Sequence, residues 1–204
     1  MRLVLASQSP RRLELLQSLG LKFDCIPSHV DEKTPLADPG EIVLALSRAK
    51  AEEVALALKE SGKESAGDLV VLGADTIVVL GADILNKPAS REDAYSMLSR
   101  LSGKCHQVYT GVTLVKLSDF SHLEGFEVSR VVFRSLDPRE IEAYIDTGEP
   151  MDKAGAYALQ GTASCFVEAI EGCYTNIIGL PVPLTTALLR QAGISVLGLA
   201  DNEF

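Results

Sequence analysis

The pattern of hydrophobic and polar positions predicts short buried strands that alternate with amphipathic helices. Apolar residues 3–6 predict a strand, and Ser9 and Pro10 then suit the N-cap and the first position of a helix that ends at Gly20. Further helices are predicted to begin near residues 38, 90, 137 and 183, each at a capping residue or a proline.

Two apolar runs rich in β-branched residues, 69–72 and 77–80, lie on either side of residues 73–76. Continuous runs of this kind are typical of strands buried on both faces. Two more strand-like runs cover 108–117 and 126–133, and the polar, Gly- and Ser-containing segment 61–68 predicts a mobile loop. Strands and helices that alternate along the chain indicate an α/β fold.

Length, composition and charge narrow the class of protein. The 204 residues fit one domain, and an aromatic content of 5% without Trp predicts an aliphatic core. A net charge of −9 disfavours nucleic acid as a partner but allows a small phosphorylated substrate. We find no zinc-type cysteine spacing, no membrane-length apolar stretch and no signal-peptide core, so a cytoplasmic enzyme or binding domain without a membrane partner is expected.

Hydroxyl and guanidinium groups cluster where the first strand meets the first helix. Ser7, Ser9, Arg11 and Arg12 follow residues 3–6 directly. The first turn of a helix offers unpaired N–H groups and a partial positive charge, so this turn suits a phosphate. An ordinary N-cap followed by solvated arginines explains the same residues, and no Walker-type phosphate loop occurs in the chain.

Two charged residues occupy positions that the pattern makes apolar. Asp75 lies between the runs 69–72 and 77–80, so it is paired, bound to a metal or at a strand end facing a cleft, unless a turn separates two shorter strands. Lys50 shares a helix face with Leu46 and Val54, so its ammonium either reaches a partner or extends to solvent.

Three other charged residues carry weaker signals. Glu32, beside Asp31, is either one of a solvated acidic pair or half of a metal site. Lys87 and Lys153, taken alone, have the sequence surroundings of surface loop lysines.

Together these segments resemble the Maf family of nucleoside triphosphate pyrophosphatases, in the right order over nearly the whole chain. The matching stretches are LVLASQSPRR (3–12), VDE (30–32), SRAKA (47–51), GADT (73–76), NKP (86–88), SG with HxVYTGV (102–112), TGEPxDKAGAYxxQG (147–161) and NIIGLP (176–181). Segment 61–68 is the least family-like part and is interpreted as a tolerated insertion.

The resemblance implies a single Maf-like domain over 1–204 with an elongated mixed sheet, flanking helices and two lobes around a cleft, as in the related inosine triphosphatase fold. It also implies metal-dependent hydrolysis of a nucleoside triphosphate between the α and β phosphates, with Mg²⁺ or Mn²⁺ as cofactor. Many family members are described as dimers, which suggests a homodimer, and some are linked to arrest of cell division.

Roles for individual residues follow from the same resemblance. Asp75 is the implied proton acceptor, and it and Glu32 are the implied catalytic carboxylates and metal ligands. The implied phosphate-binding residues are Ser7, Ser9, Arg12, Lys50 and Lys87. Lys153 is a further candidate.

Substrate choice within the family is implied to depend on the positions of Arg11, Thr76 and Gln160. This combination resembles the subgroup acting on dTTP and UTP rather than the 7-methyl-GTP subgroup, which has Trp at the first position and Glu at the third. A Gln amide offers a donor and an acceptor, which match O4 and N3–H of thymine or uracil. Alternatively, Gln160 is a strand residue whose amide satisfies the backbone.

Two rival functions stay open at this stage. One is a house-cleaning pyrophosphatase of inosine or xanthosine triphosphate, since the fold is shared. The other is a non-enzymatic, nucleotide-binding regulator of cell division, which the acidic net charge of −9 makes a poor nucleic-acid binder.

Overall fold

A computed structural model describes residues 1–62 and 69–196. In chain order the strands and helices are β1 (Arg2–Leu5), α1 (Pro10–Ser18), β2 (Phe23–Cys25), α2 (Pro39–Ser61), β3 (Leu69–Leu80), β4 (Asp83–Leu85), α3 (Arg91–Leu101), β5 (Cys105–Lys116), β6 (His122–Phe133), α4 (Pro138–Asp146), β7 (Val167–Glu171), α5 (Tyr174–Ile178) and α6 (Val182–Gln191). Short 3₁₀ helices cover Glu149–Asp152, Ala154–Ala156 and Thr162–Phe166. None of the described helices is both long and apolar enough to cross a membrane.

Within the described residues the strands form one seven-stranded sheet in the order β2-β1-β3-β5-β6-β7, with β4 paired to β3. Strand β1 pairs in parallel with both β2 and β3, whereas β3–β4 and β6–β7 are antiparallel. The predicted α/β fold with a mixed sheet and flanking helices is therefore confirmed.

Backbone contacts divide the chain into two compact units. Unit 1 comprises Met1–Asp75, Thr110–Glu127 and Gly179–Phe204, and unit 2 comprises Thr76–Tyr109 and Val128–Ile178. The unit boundaries fall inside β3, β5 and β6, so each of these strands contributes residues to both units. The prediction of a single domain over 1–204 stays a prediction.

The core of unit 1 is aliphatic and covers both faces of the sheet. Side chains alternate along β1, so Leu3 and Leu5 pack with α1 and α6 on one face, while Val4 packs with α2 on the other. Strand β3 alternates in the same way, with Val70 and Leu72 on the first face and Leu69 and Val71 on the second. The predicted burial of these strands on both faces is confirmed.

Unit 2 contains an aromatic cluster that composition did not predict. Phe133 makes edge-to-face contacts with His106, Tyr157 and Phe166 at centroid distances of 5.0, 4.8 and 6.1 Å, and Tyr144 packs on Phe166 at 5.2 Å. Aromatic residues are scarce in the sequence, but the fold brings several of them to this one place.

Strand β3 and helix α2 both differ from the elements that the sequence predicts. Strand β3 is continuous through residues 73–76, so the alternative of a turn at Asp75 is wrong. Helix α2 continues to Ser61 and ends at Gly62, whose φ of 61° is a left-handed cap. The rest of the predicted mobile loop, residues 63–68, lies outside the described residues.

The short elements β2, β4, β7 and α5 were not predicted, because three to five residues carry little periodic signal.

Candidate functional site

The turn between β1 and α1 is organised by Ser7 and Arg12, both of which are buried. The Ser7 hydroxyl oxygen accepts hydrogen bonds from the Ser9 N–H (3.2 Å) and from an Arg12 guanidinium nitrogen (3.3 Å). A second nitrogen of Arg12, Nε, donates to the carbonyl of Gly179 at 2.8 Å. Arg12 is therefore built into the turn, and the alternative that it is a solvated arginine is wrong.

Ser9 occupies the N-cap position of α1, as predicted, but its side chain makes no capping hydrogen bond. The hydroxyl of Ser7 serves the turn instead, and Arg11 lies half-buried in the first helical turn. Such a helix start retains N–H groups that side-chain capping would otherwise satisfy.

Burial lowers the pKa of the Arg12 guanidinium, while the negative charges of Asp75 and Glu32 act in the opposite direction. The guanidinium therefore lies within electrostatic range of both carboxylates. Because an arginine pKa starts above 12, the group remains a cation in spite of its burial.

Lys50 bridges the two carboxylates that the sequence singled out. Its Nζ lies 2.6 Å from Glu32 Oε1 and 2.6 Å from Asp75 Oδ1. Lys50 and Asp75 are 9% and 6% exposed, whereas the Glu32 side chain is half exposed. The alternative that the Lys50 ammonium extends to solvent is wrong, and Asp75 is the paired buried carboxylate that its position required.

Strand order and close helix packing produce this arrangement. Leu5 is the last residue of β1 and pairs with Leu72 of β3, so Ser7 and Asp75 both lie just beyond the last paired position of two parallel strands. The strands that follow β1 pair on its two opposite sides, and such a switch in strand order is where open α/β sheets bind ligands.

Helix α2 lies unusually close to β3 at Gly73. A Cβ at this glycine would lie 2.2 Å from the Ser47 carbonyl oxygen and 2.8 Å from the Ala51 nitrogen. The Ser47 and Thr113 hydroxyls also share a hydrogen bond of 2.8 Å between α2 and β5. This packing brings Lys50, the neighbour of Ala51, to Asp75, two residues beyond Gly73.

Glu32 and Asp75 carry oxygen donors of the kind that a hard divalent cation prefers, and in this structure both contact the Lys50 ammonium. Glu32 Oε1 and Asp75 Oδ1 each lie 2.6 Å from Lys50 Nζ. The two carboxylate oxygens are therefore close neighbours. Among the described residues no group of three or more His, Cys, Asp or Glu side chains could hold a metal. Mg²⁺ characteristically takes only one or two protein carboxylates and completes its shell with water and substrate phosphate oxygens.

The other predicted site residues belong to unit 2. Thr76 is half-buried on β3, and Lys87 is exposed in the loop after β4. Lys153 is almost buried, and its Nζ donates to the Glu149 carbonyl (2.6 Å) and to Asp152 (2.5 Å), so the interpretation as a free surface lysine is wrong. Gln160 is exposed and lies in a bend outside the described strands, contrary to the strand alternative.

Unit 1 therefore brings together Ser7, Arg12, Glu32, Lys50 and Asp75, with Ser9 and Arg11 on the same turn as Ser7 and Arg12. Sequence reasoning missed two contributors. The Gly179 carbonyl that holds Arg12 lies in the stretch 176–181, where only the motif itself was noted. Glu149 lies in the stretch 147–161, and its carboxylate contacts the loop that carries Gln160.

Comparison with known proteins gives a consistent result. Residues 2–192 match the family described as Maf-like protein. A protein of Thermoanaerobacter sp. (strain X514) named dTTP/UTP pyrophosphatase is 47% identical over 94% of this chain and 96% of its own length. Proteins with the same name from Carboxydothermus hydrogenoformans and Clostridium perfringens are 46% and 43% identical, over 95% and 97% of this chain and the full length of each relative.

Proposed function

The chain belongs to the Maf-like protein family, and on that premise we propose that it is a pyrophosphatase of dTTP and UTP. It would hydrolyse the α–β phosphoanhydride and release a nucleoside monophosphate and pyrophosphate. The observation that carries the proposal is the buried Lys50–Asp75 pair with Glu32 and Arg12 close by, at the end of two parallel strands. The names of the relatives supply the substrates.

We assign phosphate binding to the turn after β1 and to the lysines. Arg12 is a permanent cation held in place from Gly179, and Ser7 orients it, so the turn can bind an anion with little loss of side-chain freedom. Ser9 and Lys50 are assigned to the same triphosphate. Lys87, in unit 2, stays a predicted phosphate ligand.

We assign the proton transfer to Asp75. Its carboxylate would accept a proton from the water whose oxygen attacks the α-phosphorus, while the bond to the bridging oxygen breaks and pyrophosphate leaves. Lys50 keeps Asp75 in a fixed position through their 2.6 Å contact. A divalent cation held by Glu32 and Asp75, Mg²⁺ or Mn²⁺, would polarise the phosphate oxygens and promote formation of hydroxide.

Base recognition is assigned to Arg11, Thr76 and Gln160. The exposed amide of Gln160 can donate to O4 and accept from N3–H of a pyrimidine. Lys153 is assigned a supporting role, since its ammonium is already bound within unit 2. The proposal includes a cytoplasmic enzyme that acts on free nucleotides and forms a homodimer.

Release of pyrophosphate from a panel of nucleotides tests the proposal. The panel contains dTTP, UTP, CTP, GTP, ITP, XTP and 7-methyl-GTP, each assayed with Mg²⁺ and with excess EDTA. We expect turnover of dTTP and UTP that EDTA abolishes. Preference for ITP, XTP or 7-methyl-GTP would show that the assignment of dTTP and UTP as substrates is wrong. The absence of pyrophosphate release from every nucleotide would refute the proposal that the chain is a pyrophosphatase.

The neighbouring acids Asp31 and Glu32 provide a test variant and a matched control for the proposed role of Glu32 in cation binding. Glu32→Gln should weaken binding of Mn²⁺ in the presence of nucleotide, measured by electron paramagnetic resonance. Asp31, whose exposed carboxylate accepts the Lys33 backbone N–H at 3.2 Å and lies 3.8 Å from Lys33 Nζ, is the control, and Asp31→Asn should leave Mn²⁺ binding unchanged. Equal losses in both variants would contradict the assignment of Glu32.

A further inference from the structure

Glu149 binds the loop that carries Gln160. Its Oε2 accepts a hydrogen bond from the Thr162 backbone N–H at 3.1 Å, and its Oε1 accepts one from the Tyr144 hydroxyl at 3.1 Å. Thr162 begins the 3₁₀ helix Thr162–Phe166, two residues after Gln160. The carboxylate therefore joins α4 to the loop by one hydrogen bond on each oxygen.

Gly161 makes the contact between this carboxylate and the loop unusually close. A Cβ at Gly161 would lie 2.4 Å from Glu149 Oε1 and 3.0 Å from Oε2. The φ of Gly161 is +140°, a conformation that side-chain-bearing residues rarely adopt. The backbone that leads out of Gln160 thus lies directly against the Glu149 carboxylate.

Glu149 is itself held at both ends of its backbone. Its N–H donates to the Thr147 hydroxyl at 3.1 Å, and its carbonyl accepts from Lys153 Nζ at 2.6 Å. Burial, and to a smaller extent the negative charge of Glu149, raise the pKa of Tyr144, so the phenol stays protonated and donates. A rigid support on one side and a loop on the other are the arrangement expected of a positioning group.

We propose that Glu149 is a positioning residue for base selection, which acts by fixing the backbone at Gly161–Thr162 and hence the direction of the Gln160 amide. The inference rests on the proposed function, because it assigns base recognition to Gln160. Glu149 itself contacts protein groups on both oxygens and has no assigned contact with the nucleotide. Base-specific hydrogen bonds depend strongly on placement, whereas phosphate contacts carry no base information.

The test compares Glu149→Ala with the isosteric Glu149→Gln. The readout is the ratio of kcat/KM for dTTP to that for CTP, with kcat and KM reported separately. We expect Glu149→Ala to lower the ratio about tenfold, mostly through a higher KM for dTTP. Glu149→Gln keeps an acceptor for Thr162 N–H and should restore the ratio to within about twofold of the wild type. Glu142, an exposed residue of α4, is the matched control, and Glu142→Ala should leave the ratio unchanged.

A double-mutant cycle with Gln160→Ala shows whether Glu149 acts through Gln160. In the Gln160→Ala background, Glu149→Ala should cause no further fall in the ratio. An equal further fall, or a uniform loss of activity on all nucleotides in Glu149→Ala, would overturn the proposal.

Two further results separate folding and function from this proposal. If Glu149→Ala does not fold, Tyr144→Phe, which removes only the donor to Oε1, replaces it and should lower the ratio about twofold; an unchanged ratio would then overturn the inference. Failure of the proposed function gives a different result, namely wild-type protein that releases no pyrophosphate from dTTP or UTP.

Discussion

The two units bury polar groups by different means. In unit 1 a charged pair, Lys50 of α2 and Asp75 of β3, is buried next to aliphatic side chains that cover both faces of the sheet. In unit 2 a neutral pair is enclosed among aromatic rings, where His106 Nε2 and the Tyr157 hydroxyl share a hydrogen bond of 2.7 Å. Burial lowers the pKa of His106 to about 4, so its ring is uncharged at neutral pH.

This difference fits the proposed roles of Lys50 in phosphate binding and of Gln160 in base recognition. A buried carboxylate needs a full opposite charge, and the cations that supply it can also attract phosphates. A neutral imidazole needs no opposite charge, so His106 can be buried among aromatic rings with the Tyr157 hydroxyl as its hydrogen-bond partner. Changes at Lys50 and Asp75 should therefore affect all nucleotides alike, and changes near Gln160 should affect them selectively.

The largest effect is expected from removal of the charge on Asp75. Asp75→Asn keeps the side-chain volume but removes the proton acceptor, so kcat should fall by on the order of 10²–10⁴ for dTTP, UTP and CTP alike. Steady-state pyrophosphate release measures this loss, and the control is Asp24→Asn, a change at an exposed carboxylate paired with Arg2. Turnover close to wild type would exclude Asp75 from the mechanism.

The next largest effect is expected from loss of the Lys50 ammonium, which compensates the charge of Asp75. Lys50→Met leaves the Asp75 carboxylate buried without its close partner, and we expect the free energy of unfolding to fall by about 3 kcal/mol. Lys50→Met combined with Asp75→Asn should recover most of that loss, because no buried charge is then left alone. Urea denaturation measures both, and Lys59→Met on the same helix is the control. Without recovery in the double variant, charge compensation is not the cause.

The neutral pair in unit 2 should reveal itself through pH. Because the folded-state pKa of His106 is about 4, below its ordinary value of 6.5, its contribution to stability is complete above pH 6.5 and is lost as the pH falls towards 4. Between pH 7 and pH 4.5 the wild type should lose about 2 kcal/mol more unfolding free energy than His106→Gln. The exposed His29 is the matched control, since His29→Gln should keep the full pH dependence. Equal pH profiles for wild type and His106→Gln would contradict the argument.

The most selective effect is expected at Gln160. Gln160→Glu replaces a group that both donates and accepts by one that only accepts, so it should lower kcat/KM for dTTP and UTP by roughly 5- to 150-fold, which corresponds to about 1–3 kcal/mol. CTP and GTP should change much less. A uniform loss for all four nucleotides would show that Gln160 has a structural role only.

Local signals predicted the starts of the helices well. Asp38, Ser90 and Asp137 each cap a helix with a side-chain oxygen that accepts a backbone N–H. At the start of α3 the Asp93 carboxylate also accepts a hydrogen bond, from the Ala89 N–H. Capping depends on residues within one helical turn, so the sequence contains most of the information that it needs.

The conformation of the segment after α4 decided which of its polar residues meet. Lys153 binds the Glu149 carbonyl, four residues away, whereas Lys87 is exposed, although both have the sequence surroundings of loop lysines. The same holds for Glu149, whose carboxylate accepts hydrogen bonds from the Tyr144 hydroxyl and the Thr162 N–H. These pairings depend on bends and 3₁₀ helices that have no periodic pattern.

The sequence by itself determined the buried strands, the helix starts and the family, because each depends on apolar spacing, capping or an ordered set of motifs. Only the tertiary structure decided that Lys50 binds both Glu32 and Asp75, which lie 18 and 25 residues away in the chain. That convergence requires parallel pairing of β1 with β3 and the close approach of α2 at Gly73. The physical reason is that local preferences select helices and strands, whereas the cost of burying an unpaired charge is met only by partners that long-range packing brings together.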